Sequence, residues 1–155
     1  MITDMDIYLF DLQGYIHLEE ALTQKEVDGL NACVNKIPSL NPGQWYGHIH
    51  GHTYGDKDGL NYQQIYEAGE PFEELIDHPS WFHRVRFFIG GEGSFDEKHG
   101  PMFIDENLLN FRQSGEGIGL HNGGKLGISR CQFRYLNGKF HCNQINILIA
   151  LTDIG

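Results

Sequence analysis

Hydrophobic positions first take up a clear period just after Thr23. Val27, Leu30, Val34 and Ile37 recur at helical spacing, the pattern of a helix with one apolar face. Thr23-Gln24-Lys25-Glu26 opens it as a capping box, in which the threonine oxygen accepts from a free helix N–H and the glutamate reaches back. Pro38 stops the helix after about four turns. It is a packing element with no chemistry on it. The residues before it, Phe10 to Leu18, read as an opening stretch with a short apolar piece at Gly14-Tyr15-Ile16.

Two further helical pieces, Pro71 to Ile76 and Pro79 to Ile89, each begin with a proline suited to a first turn. In the second, Trp81, Phe82, Val85, Phe88 and Ile89 form an apolar face, and Gly90-Gly91 ends it. From Asn41 to Asn61 the composition shifts to Gly, His, Tyr and Asp, which predicts exposed loops with one short strand. The stretch Gly91 to Gly100 is a loop.

After Pro101 the period shortens towards two. Met102 to Phe111 is predicted as a strand, although Asp105, Glu106 and Asn107 are polar in its middle. A glycine-rich passage over 115–124 precedes a hairpin of Cys131–Leu136 and Lys139–Leu151 around Asn137-Gly138. That two-residue turn sets Tyr135 against Phe140 and Phe133 against Cys142. Helices come first and strands last, so the class is α+β, with residues 1–155 as a single domain.

Charge narrows the function classes. There are 21 acidic side chains against 11 basic, a net −10 with histidine neutral. No basic stripe is available to release counterions from nucleic acid, and anionic membrane surfaces are disfavoured for the same reason. The longest apolar run, Ile147 to Leu151, is far too short for a membrane span. The first residues carry acid where a secretory signal carries base, so the expectation is a cytoplasmic protein. Cys33, Cys131 and Cys142 are odd in number and lack metal-ligand spacing. The hairpin register makes Cys131 and Cys142 diagonal neighbours, poorly placed for a disulfide.

Three segments in order carry a family likeness: Pro71-Phe72-Glu73-Glu74-Leu75-Ile76-Asp77-His78-Pro79, Leu120-His121-Asn122-Gly123-Gly124, and Ala150-Leu151-Thr152-Asp153-Ile154-Gly155. With the opening Phe10-x-x-x-Gly14-Tyr15-Ile16, the chain resembles the N-terminal part of the phytanoyl-CoA dioxygenase family. The resemblance implies a double-stranded β-helix (jelly-roll, cupin-like) core, here incomplete, with N-terminal helices packed outside. It also implies an Fe(II)- and 2-oxoglutarate-dependent oxygenase acting on a small-molecule or lipid-like substrate. Iron in such enzymes sits on two histidines and a carboxylate, leaving open positions for 2-oxoglutarate and oxygen. The likeness lands on His121 as the first ligand, and flanking glycines allow a cofactor to approach it closely; an ordinary loop histidine is the bland alternative.

Gly123 stands in the carboxylate position of that motif. Related enzymes with a small residue there either hold halide and halogenate or lose iron, so hydroxylase and halogenase both stay open. The sequence holds no counterpart of the family's Pro-Gly-Ser-His motif or of its 2-oxoglutarate arginine, which leads to the expectation of a truncated protein with weak turnover or none.

By the same resemblance, Asn107 and Leu108 match a region that lines the 2-oxoglutarate pocket; a strand-edge hydrogen bond is the alternative for Asn107. Gln144 and Asn146 share a strand face with Leu148 and Ala150 by period two, as pocket-lining or structural amides. Arg112 reads as a surface ion pair or a bidentate carboxylate partner.

Two rival readings remain. One is a non-catalytic jelly-roll domain, self-associating through an unpaired strand edge at Ile145–Leu151. The other is a cupin-like metal protein: His48-Ile49-His50-Gly51-His52 puts three imidazoles on one face if extended, with Asp56 and Asp58 nearby. Against that, Gly47, Gly51, Gly55 and Gly59 recur every four residues and favour a loop.

Overall fold

A computed structural model describes residues 2–55, 57–90, 102–117, 119 and 132–153. The helices are α1 (Asp4–Gln13), α2 (Gln24–Val34), α3 (Glu70–Glu73) and α4 (Phe82–Ile89), with a 3-10 helix at Ile65–Ala68. The strands are β1 (Trp45–Tyr46), β2 (Ile49–His52), β3 (Leu60–Gln63), β4 (Leu108–Phe111), β5 (Phe133–Leu136) and β6 (Lys139–Cys142). They form an antiparallel four-stranded sheet in the order β1-β2-β3-β4 and a separate β5-β6 pair. The architecture is mixed helix and sheet, in two compact units. No helix among the described residues is long and apolar enough to cross a membrane.

One unit comprises Met1–Thr23, Asp77–Phe103 and Asn122–Ala150. Its core is aromatic. Phe88 and Phe140 are buried with Cys142, and Ile7, Phe10 and Ile145 pack against them. Phe10 stacks on Phe88 at 3.9 Å between centroids, and Phe140 meets both edge-on. Each such ring removed from water contributes roughly 1.5–3 kcal/mol. Burial also pushes the Cys142 thiol up to about 11.

The β5–β6 register is the one the Asn137-Gly138 turn predicts. Phe133 opposes Cys142 and Tyr135 opposes Phe140. Both turn residues have positive φ, 52° and 77°, as a type I′ turn requires. Cys142 is free, while Cys131 lies outside the described residues.

Helix α1 takes in Phe10–Gln13, the first residues of the stretch read as an opening segment, and begins earlier, at Asp4. No residue of it is fully buried, so no apolar period marks it. Its capped ends hold it, together with Ile7 and Phe10 packed inward. Thr3 Oγ1 accepts from Asp6 N and Asp6 Oδ2 accepts from Thr3 N, a capping box, and Gly14 at φ 78° donates back to Phe10 O. Asp6 also meets Arg84 Nη2 at 3.3 Å. Burial works to raise the Asp6 carboxyl, but the hydrogen bonds from Thr3 and the Arg84 charge outweigh it and hold the group below its ordinary value.

The other unit comprises Gln24–Ile76, Ile104–His121 and Leu151–Gly155. Helix α2 buries Leu30 and Cys33; its Gly29 lies against Pro71 of α3, where a Cβ would stand 3.7 Å from the proline ring. It ends at Val34, about a turn earlier than Pro38 predicts, because Lys36 and Ile37 continue as tighter turns. Similarly, α3 ends at Glu73 and α4 begins at Phe82, each piece shorter than its proline-to-apolar span.

Three expectations about strands need correction. The segment 41–61 carries two strands and the start of a third, not one among loops, so strands are interleaved with helices. The predicted strand from Met102 is a strand only from Leu108, since the polar Asp105–Asn107 region precedes the ladder. The last strand ends at Cys142, and residues 143–150 carry no ladder. Off the ladder, period two does not set burial there: Ile145 packs against the aromatic core while Leu148 is 92% exposed, and the alternating strand face of Gln144, Asn146, Leu148 and Ala150 is not formed. Residues 145–151 are therefore not a strand.

Candidate functional site

Directly opposed residues of an antiparallel ladder share one face. In the four-stranded sheet, Ile49, Gly51 and Tyr62 project to one side, where Ile49 and Tyr62 are buried. This side packs on the chain leaving α2. Leu40 N donates to Tyr62 Oη at 3.1 Å, and Tyr62 Oη donates to Pro38 O at 3.4 Å. Gly51 allows the close approach, for a Cβ there would stand 2.7 Å from Asn41 O. A cleft of about 440 Å³ opens beside it, lined in part by Val34, Ile37, Leu60, Tyr62 and Phe111.

The opposite face is polar and aromatic. Trp45, His50, Gln63 and Leu108 make one cross-strand row, and His52, Asn61 and Asn110 make the next. Trp45 stacks on His50 at 4.4 Å; His50 and His52 lie 5.8 Å apart; Tyr54 meets His52 edge-on at 4.6 Å. Gln63 Nε2 donates to Tyr54 Oη. Arg112 Nη2 donates to Asn110 Oδ1, and its Nη1 to Phe111 O, neutral acceptors where a surface ion pair is the simpler expectation.

At the centre of this face Asn61 is 0% exposed, and neither its Oδ1 nor its Nδ2 has a hydrogen-bond partner. Buried carboxamides are nearly always paired. An amide left open at both ends of its polar head has room for a ligand or an ordered water, which makes Asn61 the candidate centre of a site.

The residues singled out from the sequence fall in different places. His121 and Gly123 lie outside the described residues, as does Asp56. Asn107 works as a clasp: its Oδ1 accepts from Tyr66 N and its carbonyl accepts from Gln64 N, both at 2.9 Å. These bonds hold the corner between β3 and the 3-10 helix, where Gln64 takes φ 61°. Leu108 is half-buried on the polar face beside Gln63. Asn146 is exposed and belongs to the other unit.

His50 and His52 share a face as alternation predicts, but His48 does not join them. Gly47 (φ 59°) and His48 form the two-residue turn between β1 and β2, and His48 is exposed. Asn61, Gln63, Asn110 and Trp45 escape the sequence reading. The signal was Gly47-His48 as a hairpin turn with glycine first, which converts the flanking residues into strands. Comparison with protein-family models, with curated proteins and with solved structures finds no match to this chain.

Proposed function

We propose that the chain is a jelly-roll oxygenase of phytanoyl-CoA dioxygenase type, using ferrous iron and 2-oxoglutarate to hydroxylate an unactivated C–H bond of a small or lipid-like substrate. One observation carries the reading: the contrast between the two faces of the four-stranded sheet. One face packs under the chain leaving α2, while the other presents amides and rings around the fully buried Asn61. A sheet packed on one side, with a buried amide at the centre of its polar and partly exposed other side, is compatible with a jelly roll that holds a ligand against that polar face.

The fit differs between the two groups. 2-Oxoglutarate is rich in oxygen acceptors, and Asn61 Nδ2 is an open buried donor that would orient one of them. Leu108 would give such a ligand an apolar wall, and the stacked Trp45–His50 pair would keep water from one side. For iron, no group of three His, Cys, Asp or Glu side chains among the described residues is arranged to hold a metal. The reading therefore assigns iron only His121, through the sequence likeness. Iron with 2-oxoglutarate, if bound, would supply activation of O₂, one oxygen atom going to the substrate C–H bond and the other to succinate, with release of CO₂.

Anaerobic thermal unfolding tests the proposal. Fe(II) and 2-oxoglutarate together should raise the melting temperature more than either alone, and Asn61→Ala or His121→Ala should each abolish the joint effect. No 2-oxoglutarate-dependent shift in the wild type overturns it.

A second reading, a binding domain that accepts a strand from another chain, is favoured by β5. All four of its residues are exposed, Phe133 and Tyr135 among them, and its one ladder partner among the described residues is β6. Concentration-independent monomer in sedimentation velocity would count against it.

A further inference from the structure

We infer that His50 and His52 chelate a borderline divalent metal ion, with the carboxamide oxygen of Asn61 as a third donor. The site shares Asn61 and His50 with the face to which 2-oxoglutarate is assigned, but it uses neither His121 nor 2-oxoglutarate and stands without the oxygenase reading.

Three observations converge. First, the two imidazoles alternate on one strand and so project from one face. With metal–nitrogen bonds of about 2.0–2.1 Å, rings sharing one ion have centroids at most roughly 6.4 Å apart. The observed 5.8 Å lies inside that reach, and a small side-chain rotation brings the pair to a tetrahedral angle. Second, the ring stacked on His50 leaves the nitrogens of His50 clear. Trp45 lies parallel to the face of His50 at 22°, and a metal binds a ring at its edge. No hydrogen bond among the described residues occupies either imidazole. Third, Asn61 is the register partner of His52, so the two side chains leave the sheet side by side, about 4.5–5.5 Å apart at Cβ. Its amide is fully buried and unpartnered. A donor placed there costs free energy until something accepts or coordinates it.

The donor set fixes the class of ion. Two imidazoles with one neutral oxygen suit Cu(II), Ni(II) or Zn(II), in descending affinity from copper, with water in the remaining positions. Mg²⁺ and Ca²⁺ require several hard oxygen ligands, carboxylates above all, which this set lacks.

Isothermal titration of the chelator-treated 155-residue protein with ZnCl₂ should show one equivalent bound at micromolar affinity, and CuCl₂ should bind tighter. MgCl₂ should give no heat at the same concentrations. His50→Gln and His52→Gln should each weaken zinc by an order of magnitude or more, and Asn61→Ala by several-fold. His48→Gln and His121→Ala should leave that equivalent in place. Absence of zinc binding tighter than millimolar, or full affinity in the His50→Gln/His52→Gln double variant, overturns the inference. Should the substitutions cost the fold, the wild type still decides: zinc must shift the ring resonances of His50 and His52, and a shift confined to other histidines refutes the site.

Discussion

Gly51→Ala tests how the two faces of the sheet are held in place. The φ of Gly51 is not in the left-handed region, so alanine is compatible with the backbone. Taken alone, that change stabilises by about 0.4–1 kcal/mol through the unfolded chain. The new Cβ, however, would stand 2.7 Å from Asn41 O and 3.0 Å from Leu40 Cβ. The carbonyl has little freedom to move, because Gln44 N donates to it while Gly51 N donates to Gln44 O and Gly51 O accepts from Gly43 N.

Relieving the clash means shifting β2, at the usual overpacking cost of about 1–3 kcal/mol. The net expectation is destabilisation by about 1–2 kcal/mol. In a chain of this size that lowers the melting temperature by roughly 2–4 °C per kcal/mol. Urea unfolding should show a lower midpoint at unchanged slope. Gly117→Ala is the matched control: with nothing within 4 Å of its Cβ position, it should be neutral or slightly stabilising. A Gly51→Ala protein as stable as that control would refute the packing argument, and with it the account of what fixes His50 and His52.

Two further outcomes follow from the same contacts. Tyr62→Phe removes the acceptor for the buried Leu40 N–H and should cost about 1–3 kcal/mol, measured by urea unfolding; a loss below experimental error would show that water takes the hydroxyl's place. The depressed Asp6 carboxyl contributes stability above its unfolded pKa, near 3.9, and that contribution is lost as pH falls through the lower folded value. Asp6→Asn should therefore narrow the stability difference between pH 7 and pH 3, whereas an unchanged acid profile would mean that Thr3 and Arg84 do not hold the charge.

The chemistry of the polar face rests on a contrast of two kinds of partner. Asn107 spends its carboxamide oxygen on a backbone N–H, and that bond holds a corner of the fold. Asn61, on the strand that leads into that corner, has no such bond. The same residue type is structural in one place and available in the other, which is why a role cannot be assigned to an asparagine from its identity.

Local chemistry alone determined the β5–β6 hairpin, whose register follows from Asn137-Gly138 because only a type I′ turn suits that pair. It also determined α2 and α4, where apolar spacing and terminal residues agree. Capping could have revealed α1 through Thr3, Asp6 and Gly14, but its exposed faces left no period to read. What the tertiary structure decided was the meeting of segments distant in sequence. Asn61 and Asn110 become neighbours only through the β3–β4 ladder, and β4 shortens because Asp105–Asn107 lies outside it. A strand's period says which residues share a face; it does not say which face is covered or by what. Burial of Asn61 comes from the whole packed unit, so its open amide could be seen only once the chain had folded around it.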